Sequence, residues 1–253
     1  MYQISILGSG SVARFFYLAP NPLPEVQMKQ SFSRKGVQLH PNQPKSQIIT
    51  TIEALTDADI FIIAVSDNAI REVVEKIPLK KVPTVHTSGA APMEILNTQA
   101  SFGVWYPLQT FSKDRKVESA HIPFCLEASS KKLLELLKDL SSLLTTKIYL
   151  LSSAQRLYLH LAAVFSNNFV NHLMTITQDI CQDHNIPYEL LLPLIKKTMD
   201  NALANQSESS QTGPAIRNDQ KTIKDHLNLL PSRQQEIYRL LTKAIQEYYG
   251  KKL

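Results

Sequence analysis

The sequence predicts an α/β protein: a doubly wound N-terminal domain over residues 1–152, then an all-α C-terminal domain over residues 153–253. Three observations carry this prediction. Short β-branched runs alternate with helical stretches through the first 150 residues, the pattern of a parallel sheet with crossover helices. The run Ile60-Phe61-Ile62-Ile63-Ala64-Val65 is apolar throughout, as a central strand covered on both faces must be. Beyond Ser152 the strand signals stop and helical patterns take over.

In chain order, strands are expected at residues 4–7, 26–33, 60–66, 82–87, 102–105, 122–127 and 147–151. A leucine-rich helix is expected over 131–144, after Ser129 and Ser130. Residues 154–184 carry a long helical pattern free of Gly and Pro, Pro187 opens another helix, and a polar loop follows over 205–211. The last helix places Ile237, Leu240, Leu241, Ala244, Ile245 and Tyr248 on one stripe, which must find a partner.

Composition narrows the class. With 43% hydrophobic and 19% charged residues the chain is globular, and no apolar stretch approaches the roughly 20 residues of a membrane-spanning helix. Met1-Tyr2-Gln3 runs into the first strand without a basic segment or cleavage site, so a cytoplasmic protein without membrane association is expected. Cys125 and Cys181 belong to no ligand pattern, which argues against a metal site. The net charge of +5 is spread in short lysine pairs, so nucleic acid is not an expected partner.

The chemistry-bearing motif comes first. Gly8-Ser9-Gly10-Ser11-Val12-Ala13 follows a predicted strand and opens a predicted helix, the context that gives a GxGxxA pattern meaning. Gly8 permits the tight turn, Gly10 lets backbone approach a pyrophosphate, and Ala13 lets the helix pack close to the sheet. Free N–H groups at the helix start then hold the phosphates. The pattern predicts a Rossmann dinucleotide site, against a strand-to-helix turn without a ligand. Where NAD-binding domains carry an acidic residue after the second strand, this chain has Ser33 and Arg34, suited to a 2′-phosphate, so NADP(H) is the expected cofactor.

Taken together, GSGSVA at 8–13, AVSD at 64–67, HTSGA at 86–90, YPLQTF at 106–111, RLYLHLAAVFSNNF at 156–169 and TGPAIRNDQKTIKDHL at 212–227 resemble a bacterial Rossmann-like family. Its C-terminal part is the domain of unknown function 2520, and it is similar to pyrroline-5-carboxylate reductases and 6-phosphogluconate-dehydrogenase-type oxidoreductases. The resemblance implies a helical second domain, a homodimer, and reductase chemistry on a small-molecule substrate. The family usually has His where this chain has Tyr106, which puts a proton-transfer role at that position in doubt.

Candidate residues follow from the expected cleft beyond the strand ends. Val65, Ser66, Asp67, His86 and Ser88 lie at or just beyond the ends of predicted strands and would meet cofactor or substrate, although Asp67 reads equally as a helix cap and Ser88 as a turn residue. On the long helix, His160 shares a face with Asn167 and Asn171 at 3.6 residues per turn, while Asn168 is offset by about 80°. His160 is the candidate proton donor, against a purely structural role, because histidine exchanges protons near neutral pH. Thr212 and Asp219 are the reserve. Tyr106, Gln109, Asn167, Asn168 and Arg217 are expected to contact substrate, Arg217 either binding a carboxylate or pairing with Asp219.

Residues 154–184 contain no lysine, which disfavours the β-hydroxyacid dehydrogenase subclass. The leading expectation is an NADPH-dependent reductase of a C=O or C=N group in a small, anionic metabolite. The competing one is a nucleotide-binding sensor or scaffold without turnover, supported by the Tyr106 departure.

Overall fold

Strand β4 (Ile60–Ile63) explains the architecture: its four side chains are at most 1% exposed and point alternately into two separate cores. Ile60 and Ile62 join Ile4, Ile6, Phe16, Trp105 and Phe124 on one face of the sheet. Phe61 and Ile63 join Leu7, Phe32, Ile70, Val74 and Leu96 on the other. Each such side chain contributes about 1.5–3 kcal/mol relative to exposure, so a strand apolar on both faces is stable only between two layers.

The computed structural model describes residues 1–111 and 118–250. Around β4 lie β1 (Tyr2–Leu7), β2 (Val26–Phe32), β3 (Ile48–Ile49), β5 (Thr84–His86), β6 (Phe102–Pro107), β7 (Phe124–Ala128) and β8 (Ile148–Leu150), in the order β3-β2-β1-β4-β5-β6-β7-β8. Neighbours are parallel except β6 and β7. The order runs outward in both directions from β1 and β4, the arrangement of a doubly wound Rossmann sheet.

All seven expected strands form, several shorter than expected. The 60–66 run pairs only as far as Ile63, because the chain turns at Ala64 into a short 3₁₀ segment, Asp67–Ala69, that leads into helix α2 (Ile70–Lys76). Strand β3 was not expected, since two residues carry no periodicity.

Helices α1 (Ser11–Leu18) and α3 (Lys131–Ser142) complete the sheet's cover; Ser130 accepts the Leu133 N–H at the start of α3. Helix α4 (Ser153–Ala163) opens with a capping box in which the Ser152 and Gln155 side chains satisfy each other's backbone N–H groups, the reciprocal arrangement that fixes a helix start. The long helix is not α-helical throughout. Val164–Phe169 is a π-helical segment, after which α5 (Val170–Asp183) resumes. The 3.6-residue phase that put His160 and Asn167 on one face therefore does not hold through it, because each π turn takes in an extra residue.

The chain divides into two compact units, Met1–Phe165 and Ser166–Leu253, so the division falls inside the π-helical segment, where the sequence boundary was expected at 152/153. The second unit contains α5, α6 (Leu192–Leu203), α7 (Gln220–Leu229) and α8 (Ser232–Tyr249). Among its described apolar residues only Cys181, Ala215 and Ile223 are buried. On the α8 stripe Leu240, Leu241 and Tyr248 remain exposed. No helix is long and apolar enough to cross a membrane, among the described residues.

Candidate active site

A cavity of about 770 Å³ opens at the carboxyl ends of β1, β2, β4 and β5, where the strand order reverses, and every residue lining it belongs to the first unit. Gly8, Ser9, Gly10, Ser11 and Val12 form one wall. Gly8 has φ +143°, and a Cβ there would lie 2.0 Å from the Ala64 carbonyl oxygen, so the turn after β1 and the end of β4 can approach only through glycine. Gly10 caps α1 in an extended conformation without a side-chain cap, and a Cβ on it would meet nothing within 4 Å. The first-turn N–H groups of α1 thus stay available beside open space, which suits phosphate oxygens. Ala13, fully buried, packs into the core and does not line the cavity.

Ser33 and Arg34 line the far end. The Ser33 hydroxyl accepts the Val37 N–H at 2.7 Å, which leaves its own proton to donate. Arg34 is exposed. Thr50, Thr51, Glu53, Glu72 and Lys76 also line this end and were not anticipated, since they come from segments without a recognisable motif. Hydrogen bonding to Lys76 at 2.7 Å, with help from the Arg34 charge, lowers the Glu72 carboxyl below its ordinary range. Two cations and two carboxylates line the cavity here.

At the other end Val65, Ser66, Asp67, Ser88, Gln109 and His160 line the same cavity. Ser66, not Asp67, takes the cap position of the 3₁₀ turn, without a side-chain hydrogen bond. Ser88 does both jobs open to it: its Oγ accepts the Ala90 and Ala91 N–H groups at 3.0 and 2.9 Å while it borders the cavity. His86 departs from expectation. It is fully buried, its Nδ1 accepts the Ser88 N–H and its Nε2 donates to the Pro92 carbonyl. Burial, reinforced by the Arg156 charge, pushes its pKa down to about 4, so it stays neutral and structural.

Tyr106 stands behind the cavity wall with its hydroxyl 3.3 Å from His160 Nδ1. Burial pushes its phenol up to about 12, so the hydroxyl keeps its proton. Gly89 fills the gap between them: a Cβ there would lie 2.7 Å from His160 Nδ1 and 2.8 Å from Tyr106 Cζ. One turn before His160, Arg156 is 1% exposed, pairs with Glu127, and donates to the Ala91 carbonyl and to Ser153 Oγ. Glu127 also accepts the Ser153 N–H and hydroxyl, both at 2.8 Å. This network ties the start of α4 to β7 and to the turn after β5. Arg156 was quoted in the sequence motif but given no role; a lone cation four residues before a candidate histidine was the available signal.

The remaining candidates lie in the second unit. Asn167 and Asn168 are exposed in the π segment, and Thr212 and Arg217 are exposed in the loop before α7. Arg217 forms no salt bridge with Asp219. Instead, Asp219 caps α7, accepting the Thr222 N–H and hydroxyl at 3.1 and 2.8 Å. These hydrogen bonds hold its carboxyl below the ordinary range and hence ionised at neutral pH. No cluster of His, Cys, Asp or Glu suited to a metal ion occurs among the described residues.

Residues 122–245 match the family model of a domain of unknown function, DUF2520. The fold is similar to BF3122 of Bacteroides fragilis, a candidate NADP oxidoreductase, at 32% identity and TM-score 0.85, covering 97% of this chain and 98% of that one. It is similar to an Aspergillus terreus reductive aminase solved with NADPH and ethyl-5-oxohexanoate, at 13% identity and TM-score 0.70, covering 99% and 94% of the two chains. A Myxococcus stipitatus imine reductase solved with NADP+ matches at 14% identity and TM-score 0.65, covering 98% and 93%. No curated protein matches.

Proposed function

The chain belongs to the family of Rossmann-fold proteins that carry the DUF2520 domain, and we propose that it is an NADP(H)-dependent oxidoreductase reducing a C=O or C=N bond of a small, anionic metabolite. The observation that carries this reading is one cavity lined by the Gly8–Gly10 turn, by Arg34 and by His160. The turn and the uncapped start of α1 fit a pyrophosphate, and Arg34 with Ser33 fits a 2′-phosphate. The Bacteroides fragilis relative is described as a candidate NADP oxidoreductase, which supports the same cofactor.

The cofactor, when bound, supplies the hydride. The chain's own work is to orient the acceptor, exclude water and deliver a proton to the heteroatom on which charge develops. His160 suits that role better than Asp219, whose carboxylate is held ionised by its capping hydrogen bonds. Arg217, exposed and without a salt bridge among the described residues, supports a carboxylate on the substrate. The exposed leucines of the second unit support a homodimer in which a second copy covers them.

The test is a pair of titrations followed by a turnover screen. NADPH is expected to bind more tightly than NADH, and Arg34→Ala to weaken NADPH selectively. NADPH oxidation across keto and imino acids is then expected to drop about 10²–10⁴-fold in His160→Ala with little change in NADPH affinity. Tighter binding of NADH by the wild type would remove the cofactor assignment.

A further inference from the structure

The contact between Tyr106 and His160 has a chemical property that neither residue has alone. An imidazole can present either an N–H or a bare nitrogen at each ring position, and which one faces a ligand is set by what the other nitrogen touches. His160 Nδ1 touches the Tyr106 hydroxyl at 3.3 Å, with the rings nearly perpendicular at 73° and centroids 6.3 Å apart. Nε2 has no protein partner among the described residues, and His160 borders the cavity. Gly89 makes the contact possible, because any Cβ at that position would intrude on both rings.

Resting on the reading of His160 as proton donor, we propose that Tyr106 is the positioning residue for His160, its hydroxyl holding Nδ1 so that Nε2 is the nitrogen that serves the cavity. A hydroxyl both donates and accepts. To the neutral ring the phenol donates, since His160 Nδ1 is its one acceptor among the described residues, and this selects the Nε2–H tautomer. From the imidazolium, Nδ1–H donates to the phenol oxygen. When Nε2 passes its proton to the substrate heteroatom, the ring is left transiently as the Nδ1–H form, still donating to that oxygen, until water returns a proton to Nε2; the Nε2–H form is the resting neutral one. The ring stays oriented through each state. The charged or ionisable groups acting on Tyr106 are Cys125, directly across on β7, then Arg156 and Asp67, and none of them hydrogen-bonds the hydroxyl.

The family resemblance gives histidine at this position, and an imidazole likewise both donates and accepts. Tyr106 thus keeps a group that both donates and accepts at this position. It does not point to lost chemistry.

The experiment reads the tautomer directly, by ¹⁵N NMR of the histidine ring in the full chain above the histidine titration range. Wild type is expected to show His160 as the Nε2–H form alone. Tyr106→Phe, which removes only the hydroxyl, is expected to give a mixture of both forms, and Gly89→Ala to do the same by displacing the ring. Turnover in Tyr106→Phe is expected to fall about 10–100-fold, part of what a general acid supplies, with KM for NADPH unchanged. A single Nε2–H form persisting in Tyr106→Phe, or a mixture already present in wild type, would overturn the proposal. If the tautomer is lost and turnover is unaffected, positioning stands and the assignment of His160 as proton donor fails.

Discussion

The two units of this chain bury their apolar residues in opposite ways. The first, Met1–Phe165, sandwiches its sheet between two cores, and its central strand is at most 1% exposed. In the second, Leu203 is 84% exposed, Leu229 75% and Leu240 69%, and the described buried apolar residues number only Cys181, Ala215 and Ile223. Among the ion pairs of the described residues, the first unit holds the one that is buried, Arg156–Glu127, beside the exposed Lys76–Glu72 and Lys138–Glu135, whereas those of the second, such as Lys196–Asp200, all stand in solvent. Burial makes each residue of the first unit consequential; the second presents surface that asks for a cover.

Glycines give the sharpest contrast. Gly8→Ala is expected to cost more than about 4 kcal/mol, because its Cβ would collide with the Ala64 carbonyl, and to abolish cofactor binding. Gly213 has φ +104° but open space around it, so Gly213→Ala should cost only about 1–2 kcal/mol of backbone strain. Denaturant titration of both variants measures the difference, and equal losses would break the comparison.

Breaking the buried ion pair comes next. Arg156→Met strands the Glu127 carboxylate and is expected to cost about 3–5 kcal/mol, against at most about 1 kcal/mol for Lys196→Ala. Measured losses of similar size would mean that burial is not what separates the two pairs.

His86 adds a pH dependence confined to the first unit. Its folded pKa of about 4 lies below the ordinary 6.5, so above pH 6.5 both states are neutral and nothing is lost. As pH falls from 6.5 towards 4, the unfolded chain takes up a proton that the folded one refuses, and stability drops by about 3 kcal/mol. His86→Asn keeps an acceptor for the Ser88 N–H and cannot titrate. Its stability between pH 7 and pH 4.5 should decline less than that of wild type, and parallel curves would refute the assignment.

The smallest effect on folding should carry the clearest effect on assembly. Leu240→Gln replaces an exposed side chain and is expected to change the stability of an isolated chain by no more than about 0.5 kcal/mol. Under the proposed homodimer it should nevertheless weaken association, visible by light scattering as a lower mass at micromolar concentration. A wild type that scatters as a monomer of 28.5 kDa would end that proposal.

Local signals were enough to locate every major strand, the turn at Gly8 and the change from an α/β to an all-α part, because each depends on residues close together in sequence. Half of the cavity wall was legible for the same reason: Gly8 through Val12, Arg34, the segment after β4 and Ser88 all follow strands. Tertiary structure decided what depends on distant segments meeting. It gave Gly89 its place between Tyr106 and His160, and turned His86 inward with a depressed pKa. It joined Arg156 to Glu127 across 29 residues and brought Thr50, Thr51, Glu53 and Lys76 to the cavity. It also inserted a π segment where regular periodicity predicted an unbroken α-helix. Periodicity and turn chemistry act over a few residues, whereas a site is assembled by contacts between elements that only packing brings together.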